Sequence, residues 1–112
     1  MPKLIFLKNE SDFSAFRKSK SYSSKLLMLR VHFAANQNFS RFGFIVPKKV
    51  LAKATARNLV KRRLKAILLK LASRLKPADF LLFPRTGLAT AKFEEVEQTV
   101  NKLFTEANLW KS

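Results

Sequence analysis

Between residues 25 and 35 the chain alternates. Leu27, Leu29, Val31 and Phe33 fall on one side of an extended segment, and Met28, Arg30 and His32 fall on the other. A period of two predicts a half-buried β-strand. "NQN" at 36–38 reads as a turn, and "RFGFIVP" predicts a second strand closed by Pro47, which has no N–H to give a sheet ladder. The two strands are expected to pair as an antiparallel hairpin, with a short extra strand at 21–24. From about Ala54 the period lengthens. Val60, Leu64, Ile67, Leu68, Leu71 and Leu75 recur at helical spacing, forming one apolar stripe roughly 100° wide. Pro77 is expected to stop this helix. "DFLLF" at 79–83 is apolar after Asp79 and predicts a strand buried on both faces, ended by Pro84, with Asp79 capping a turn before it. A last helix turns Phe93, Val96, Val100, Leu103 and Phe104 inward. Its first turn carries Glu94, Glu95 and Glu97, where carboxylates suit the positive end of the helix dipole. Ahead of everything, "SDFSAFRKS" at 11–19 predicts a short helix capped by Ser11, with Phe13 and Phe16 one turn apart. The order is helix, strands, long helix, strand, helix. That order is an α+β layered fold in a single domain over residues 1–112.

Composition adds boundaries. A chain of 112 residues that is 47% hydrophobic, with 11 Phe, can bury a core and does not have the make-up of a disordered segment. The absence of Cys excludes a disulfide framework and a thiolate metal site, which fits a reducing, cytoplasmic setting. The start, "MPKLIFLKNE", has an apolar run only from Leu4 to Leu7. A secretory signal needs roughly 7–15 such residues and a membrane span roughly 20, so no membrane association is expected.

Charge changes the picture more. The chain carries 23 Lys+Arg against 7 Asp+Glu, a formal net charge of +16. From Phe13 through Ala78 there is no carboxylate at all. The densest stretch, "RNLVKRRLKAILLK", runs from Arg57 to Lys70 on the long helix. There Arg57, Lys61 and Lys65 lie four apart on one ridge, and Asn58 and Arg62 form the ridge beside it. Lys48, Lys49 and Lys53 lead into the helix. Like charges gathered without partners raise the free energy of a folded chain, and no acidic side chain is spaced to screen this ridge in i,i+4 pairs. The expected partner is a polyanion, nucleic acid first, held through backbone phosphates.

Independent catalysis has little to work with. His32 is the only His, and no Gly-rich phosphate loop, Ser–His arrangement or metal-ligand cluster is present. Glu94 and Glu97 lie one turn apart, and a helix N-terminus accounts for them. No catalytic and no metal-binding residue is assigned. A ribosomal or other structural RNA-binding protein would share this charge and size. A DNA-binding regulator is less well supported, because no helix-turn-helix pair accompanies the basic helix. A membrane-surface role is less well supported still, because the apolar stripe is needed to cover the sheet.

The stretch "FGFIVPKKVLAKATARNLVKRRLKAI" resembles the signature of the bacterial ribonuclease P protein component: a strand, a Lys-Lys step, then a helix opening with Arg-Asn and followed by Lys-Arg. The early "DFSAF" and "RKSK" and the late "DFLLFPRTG" extend the resemblance over most of the chain. It implies a protein that binds a catalytic RNA and, with it, cleaves the 5′ leader from precursor tRNA. In that family the RNA carries the active site and its Mg2+ ions, and the protein alone holds no cofactor. Carried over by position, Arg57, Asn58, Lys61, Arg62 and Lys65 are expected at the RNA interface, and Lys48, Lys49 and Lys53, which lead into the helix, are expected to join them. Phe13, Phe16, Tyr22, Arg30 and His32 are expected to line a cleft between sheet and long helix that holds the single-stranded leader, where a ring can stack a splayed base. The resemblance also implies an αβββαβα order, a sheet of about four strands with three helices, similar to a domain of ribosomal protein S5, with a left-handed βαβ crossover. Three features depart from the family pattern. Leu59 stands where a second Arg is usual, Phe13 and Phe16 are three apart instead of four, and Pro47 and Pro84 replace small residues at strand ends.

Overall fold

The computed structural model describes residues 5–6, 20–33 and 39–110. The helix expected at 11–19, with Ser11, Phe13 and Phe16, and the turn at 36–38 lie outside the described residues. Among the described residues five strands form one mixed sheet: β1 (Ile5–Phe6), β2 (Lys20–Ser23), β3 (Leu27–His32), β4 (Arg41–Phe44) and β5 (Asp79–Pro84). Two α-helices are seen among the described residues, α1 (Ala54–Leu71) and α2 (Phe93–Glu106).

The strand order, β1-β4-β5-β3-β2, corrects the expected hairpin. β3 and β4 follow one another in the chain yet do not pair. β5 lies between them, antiparallel to β3 (Leu29↔Leu82, His32↔Asp79) and parallel to β4 (Phe42↔Phe80, Gly43↔Leu81). The cause is in β5 itself, whose residues are buried at every position but Phe83. A strand that is apolar on both faces loses most when placed at an edge, so it takes the centre. The link from β3 to β4 therefore steps over one strand, roughly 10 Å, further than a tight hairpin turn reaches. The extra strand appears as expected, with β2 antiparallel to β3.

Alternation then sorts the two faces of the sheet. Leu27, Leu29, Val31, Phe42, Phe80 and Leu82 point toward the helices and join one core with Val60, Leu64, Ile67, Leu68 and Leu71 of α1. From α2 come Val96, Val100, Leu103 and Phe104. The rings of Phe42 and Phe80 stack at 5.2 Å, and Phe104 meets Phe80 at 5.7 Å, so the core runs unbroken from β4 to α2. Each fully buried Val, Leu or Ile contributes about 1.5–3 kcal/mol. Phe33 and Phe93, assigned inward from sequence, are 57% and 37% exposed because each sits at or past the end of its element. α1 also ends before Pro77: a 3₁₀ turn, Ala72–Arg74, follows Leu71, and Leu75 is already extended and bridged to Trp110.

On the opposite face lie Met28, Arg30 and His32 of β3, Arg41 of β4, and Asp79, Leu81 and Phe83 of β5. Leu81, Ile45 and Phe83 form a small separate apolar cluster there. Asp79 does not cap a turn, as the sequence implied. It is 2% exposed, and Arg41 holds it with two parallel bonds, Nε to Oδ1 at 2.8 Å and Nη2 to Oδ2 at 2.7 Å. The parallel register sets Arg41 directly beside Asp79, and the planar guanidinium matches a carboxylate in two-point geometry.

Candidate nucleic-acid interface

The long helix begins without a side-chain cap and without an acidic residue in its first turn. Its apolar stripe faces the sheet, and the arc on the far side carries Asn58, Arg62 and Lys65, all exposed, with Lys61 half-buried at its border. Residues four apart on a helix are about 6 Å apart along the axis, so Lys61 and Lys65 form a short cationic row. Leu69, 41% exposed, continues that row and gives it an apolar end that the charge pattern did not reveal. Among the described residues the carboxylates are placed elsewhere. Asp79 is taken by Arg41, with His32 Nδ1 at 4.0 Å, and Glu97 meets Lys70 at 3.4 Å. None of the described carboxylates forms an ion pair with Lys61 or Arg62, or with Lys48, Lys49 or Lys53.

Not every cation of the helix looks outward. Arg63 donates from Nη1 to the Ala91 carbonyl at 2.9 Å, and Lys70 lies over the Phe93 ring at 5.7 Å. This flank of α1, which also carries half-buried Leu59, is turned toward the start of α2. Part of the positive charge is thus spent on joining the two helices. Arg57, half-buried at the first turn, also turns inward. Its Nη1 donates to the carbonyls of Leu51 (2.8 Å) and Ala52 (2.9 Å).

The segment between β4 and α1 carries Lys48, Lys49 and Lys53, all exposed. It is a built loop. Val50 and Leu51 donate their N–H groups back to the Pro47 carbonyl at 3.0 and 3.2 Å, closing a turn on which Lys48 and Lys49 stand. The Leu51 side chain is buried in the main core. Thr86 donates from Oγ1 to the Val50 carbonyl at 3.2 Å.

Of the residues expected around a leader cleft, the three that are described, Tyr22, Arg30 and His32, do not converge between sheet and long helix. That space is filled: Val60, Leu64, Ile67 and Leu68 are fully buried there. Arg30 and His32 stand on the face of the sheet away from α1 and α2. Tyr22 pairs in register with Leu29 and packs on the helix-side core. The structure therefore separates Tyr22 from Arg30 and His32, and Phe13 and Phe16 lie outside the described residues. Alternation along β3 was enough to place Arg30 and His32 together, whereas the face of Tyr22 depends on a register that no local pattern sets.

Among the described residues no group of three or more His, Cys, Asp or Glu is arranged to hold a metal ion, and no helix is long and apolar enough to cross a membrane. A wide concavity of about 390 Å³ lies on another side, lined by Arg74, Asn101, Thr105 and Trp110. Its tryptophan is fixed by a bond from Nε1 to Thr105 Oγ1 at 2.9 Å and by the Arg74 guanidinium 5.1 Å above the ring.

The chain matches the family model described as Ribonuclease P over residues 1–108. It is 31% identical over 110 residues to the ribonuclease P protein component of Streptococcus pyogenes serotype M5 (strain Manfredo), covering 97% of this chain and 91% of that one. The same identity and coverage hold for the protein from serotype M49 (strain NZ131). In three dimensions it superimposes on the RNase P protein of Staphylococcus aureus with a TM-score of 0.86 at 18% identity, over 97% of this chain and 100% of that one. The corresponding protein of Thermotoga maritima gives 0.75 at 24% identity, over 87% and 91%.

Proposed function

Since this chain belongs to the ribonuclease P protein family, the protein component of a tRNA-processing endoribonuclease, we propose that its basic side docks on the catalytic RNA of that ribonucleoprotein. The observation that carries this reading is the cluster of cations on α1 and on the loop before it, of which Lys48, Lys49, Lys53, Lys61 and Arg62 form no ion pair with the described carboxylates. Lys48, Lys49, Lys53, Lys61, Arg62 and Lys65 meet phosphates, and Asn58 adds a neutral donor and acceptor between them. Lysine presents a point charge and arginine a planar fork, both suited to phosphate oxygens. Leu69 at the end of the row meets a sugar or base edge.

The second partner is precursor tRNA with its 5′ leader. Arg30 and His32, on the sheet face away from the helices, supply a cation and a ring for a single strand, and Phe13 and Phe16 add stacking surfaces. Membership in the family also implies a left-handed β4–α1–β5 crossover and a third helix at 11–19. The protein contributes no reacting group. Family membership likewise implies that the metal ions of the reaction are held by the RNA. The setting is cytoplasmic.

Reconstitution tests the proposal. The protein, a ribonuclease P RNA transcript from the same genome and a 5′-labelled precursor tRNA are mixed at low magnesium, and leader release is followed. Cleavage that needs both RNA and protein is the expected result. Leader release by the protein alone would overturn the assignment of the chemistry to the RNA. Co-purification with ribosomal subunits, without any stimulation of cleavage, would favour a structural RNA-binding role.

A further inference from the structure

Four consecutive carbonyls, those of residues 50–53, are each held by a specific donor. Val50 O accepts from Thr86 Oγ1, Leu51 O and Ala52 O both accept from Arg57 Nη1, and Lys53 O accepts from the Arg57 N–H. The Arg57 side chain thus fastens two of the four, the first backbone bond of the helix a third, and a threonine 36 positions from Val50 in sequence the other. Between these anchors and the Pro47 turn stand Lys48, Lys49 and Lys53. We propose that Arg57 and Thr86 are positioning residues: they fix the carbonyl side of this loop so that its three lysines are presented to RNA in one prearranged set, and Arg57 acts through the loop.

The physical reason is entropic. A loop of exposed lysines without internal anchors would be spread over many backbone states, and ordering it on binding would subtract from affinity. A charged donor shared by two carbonyls is stronger than a neutral one and holds both peptide planes at once. Lysine replaces it poorly, since the planar guanidinium fixes the direction of both Nη1 N–H groups, whereas an ammonium on a flexible stem must be ordered to reach the same two carbonyls. The inference rests on the basic side being the RNA-binding side, and it goes further by taking Arg57 out of the set that touches phosphate.

The test is the conservative exchange Arg57→Lys, with Thr86→Val and Thr86→Ser beside it, each measured in two backgrounds. One background is the native chain, and the other is the triple variant Lys48→Gln, Lys49→Gln, Lys53→Gln. Binding to the ribonuclease P RNA transcript is titrated over a range of salt. A phosphate contact contributes about 0.7–0.9 to the log–log salt slope. In the native background Arg57→Lys keeps the charge, yet the slope is expected to fall by more than one such contact. Thr86→Val is expected to lower affinity and Thr86→Ser to restore it. In the triple variant neither Arg57→Lys nor Thr86→Val should weaken binding further. In the RNA-free protein, amide exchange at residues 51–54 should quicken in both variants while the melting transition stays cooperative. An unchanged slope in Arg57→Lys would show that the arginine does not organise the loop, an equal loss in both backgrounds would show that Arg57 touches the RNA directly, and either would overturn the inference alone. A triple lysine variant that binds like the native chain would instead remove the loop from the interface and overturn the reading beneath it.

Discussion

Neutralising Lys61, Arg62 and Lys65 together, each to Gln, gives the most direct measure of what the long helix does. None of the described carboxylates forms an ion pair with Lys61 or Arg62, so their removal breaks no ion pair that those carboxylates make. The three side chains lie on the arc away from the apolar stripe, and Val60, Leu64, Ile67 and Leu68 stay packed beneath them. If Lys48, Lys49, Lys53, Lys61, Arg62 and Lys65 each meet one phosphate, six contacts at about 0.7–0.9 each give a log–log slope of about −4 to −5. Raising salt about fourfold, from 50 to 200 mM, then costs roughly 300- to 2,000-fold in affinity. The triple Gln variant keeps three contacts, so its slope falls to about −2 to −3, and the same salt step costs roughly 20- to 40-fold. The assay is filter binding or fluorescence anisotropy on a ribonuclease P RNA transcript at fixed magnesium, with thermal melting run alongside. Equal slopes for the two proteins would refute the argument. So would a loss of affinity that is the same at every salt concentration, because only released counterions make binding depend on salt in this way.

Stability offers further checks. Leu64→Ala, at a site with 0% exposure, should cost about 2–5 kcal/mol in urea unfolding; a cost below about 1 kcal/mol would mean that the core between α1 and the sheet is looser than described. Asp79→Asn leaves Arg41 without its carboxylate and should cost about 2–4 kcal/mol, toward the low end because Arg41 keeps 30% exposure and can turn to water. The companion Arg41→Met takes the guanidinium from the buried carboxylate, leaves His32 Nδ1 4.0 Å away, and should cost more. Glu94→Gln with Glu95→Gln removes both carboxylates from the first turn of α2 and should lower stability by about 0.3–1 kcal/mol each, an effect that shrinks as salt rises.

Sequence alone went furthest where the governing interactions are local. The stripe on α1 and the apolar run of β5 after Asp79 follow from spacing and from residue type, and both appear in the structure. The empty run of acid between Phe13 and Ala78 marked the basic segment without any knowledge of the fold. Pairing between distant segments was not legible. Nothing within β3 or β4 says that a strand from residue 79 onward will enter between them, since edge and centre are decided by the whole sheet. Arg41 and Asp79 lie 38 positions apart and meet only through that parallel register. Helical angle placed Arg57 on the cationic ridge with Lys61 and Lys65. Carbonyls just ahead of the helix, invisible to periodicity, draw its side chain inward.

The late arrival of β5 bears on how this protein is made. β3 and β4 gain a common neighbour only once residues 79–84 have been synthesised, so the sheet has no middle while the preceding 78 residues emerge. That nascent portion contains two carboxylates, Glu10 and Asp12, against 19 lysines and arginines. A ribosome therefore extrudes an unclosed polycation beside its own ribosomal RNA, and non-local closure of this kind is slow compared with helix formation. Only insertion of the central strand completes the sheet, so this strand order leaves the polycation unclosed until residues 79–84 are in place.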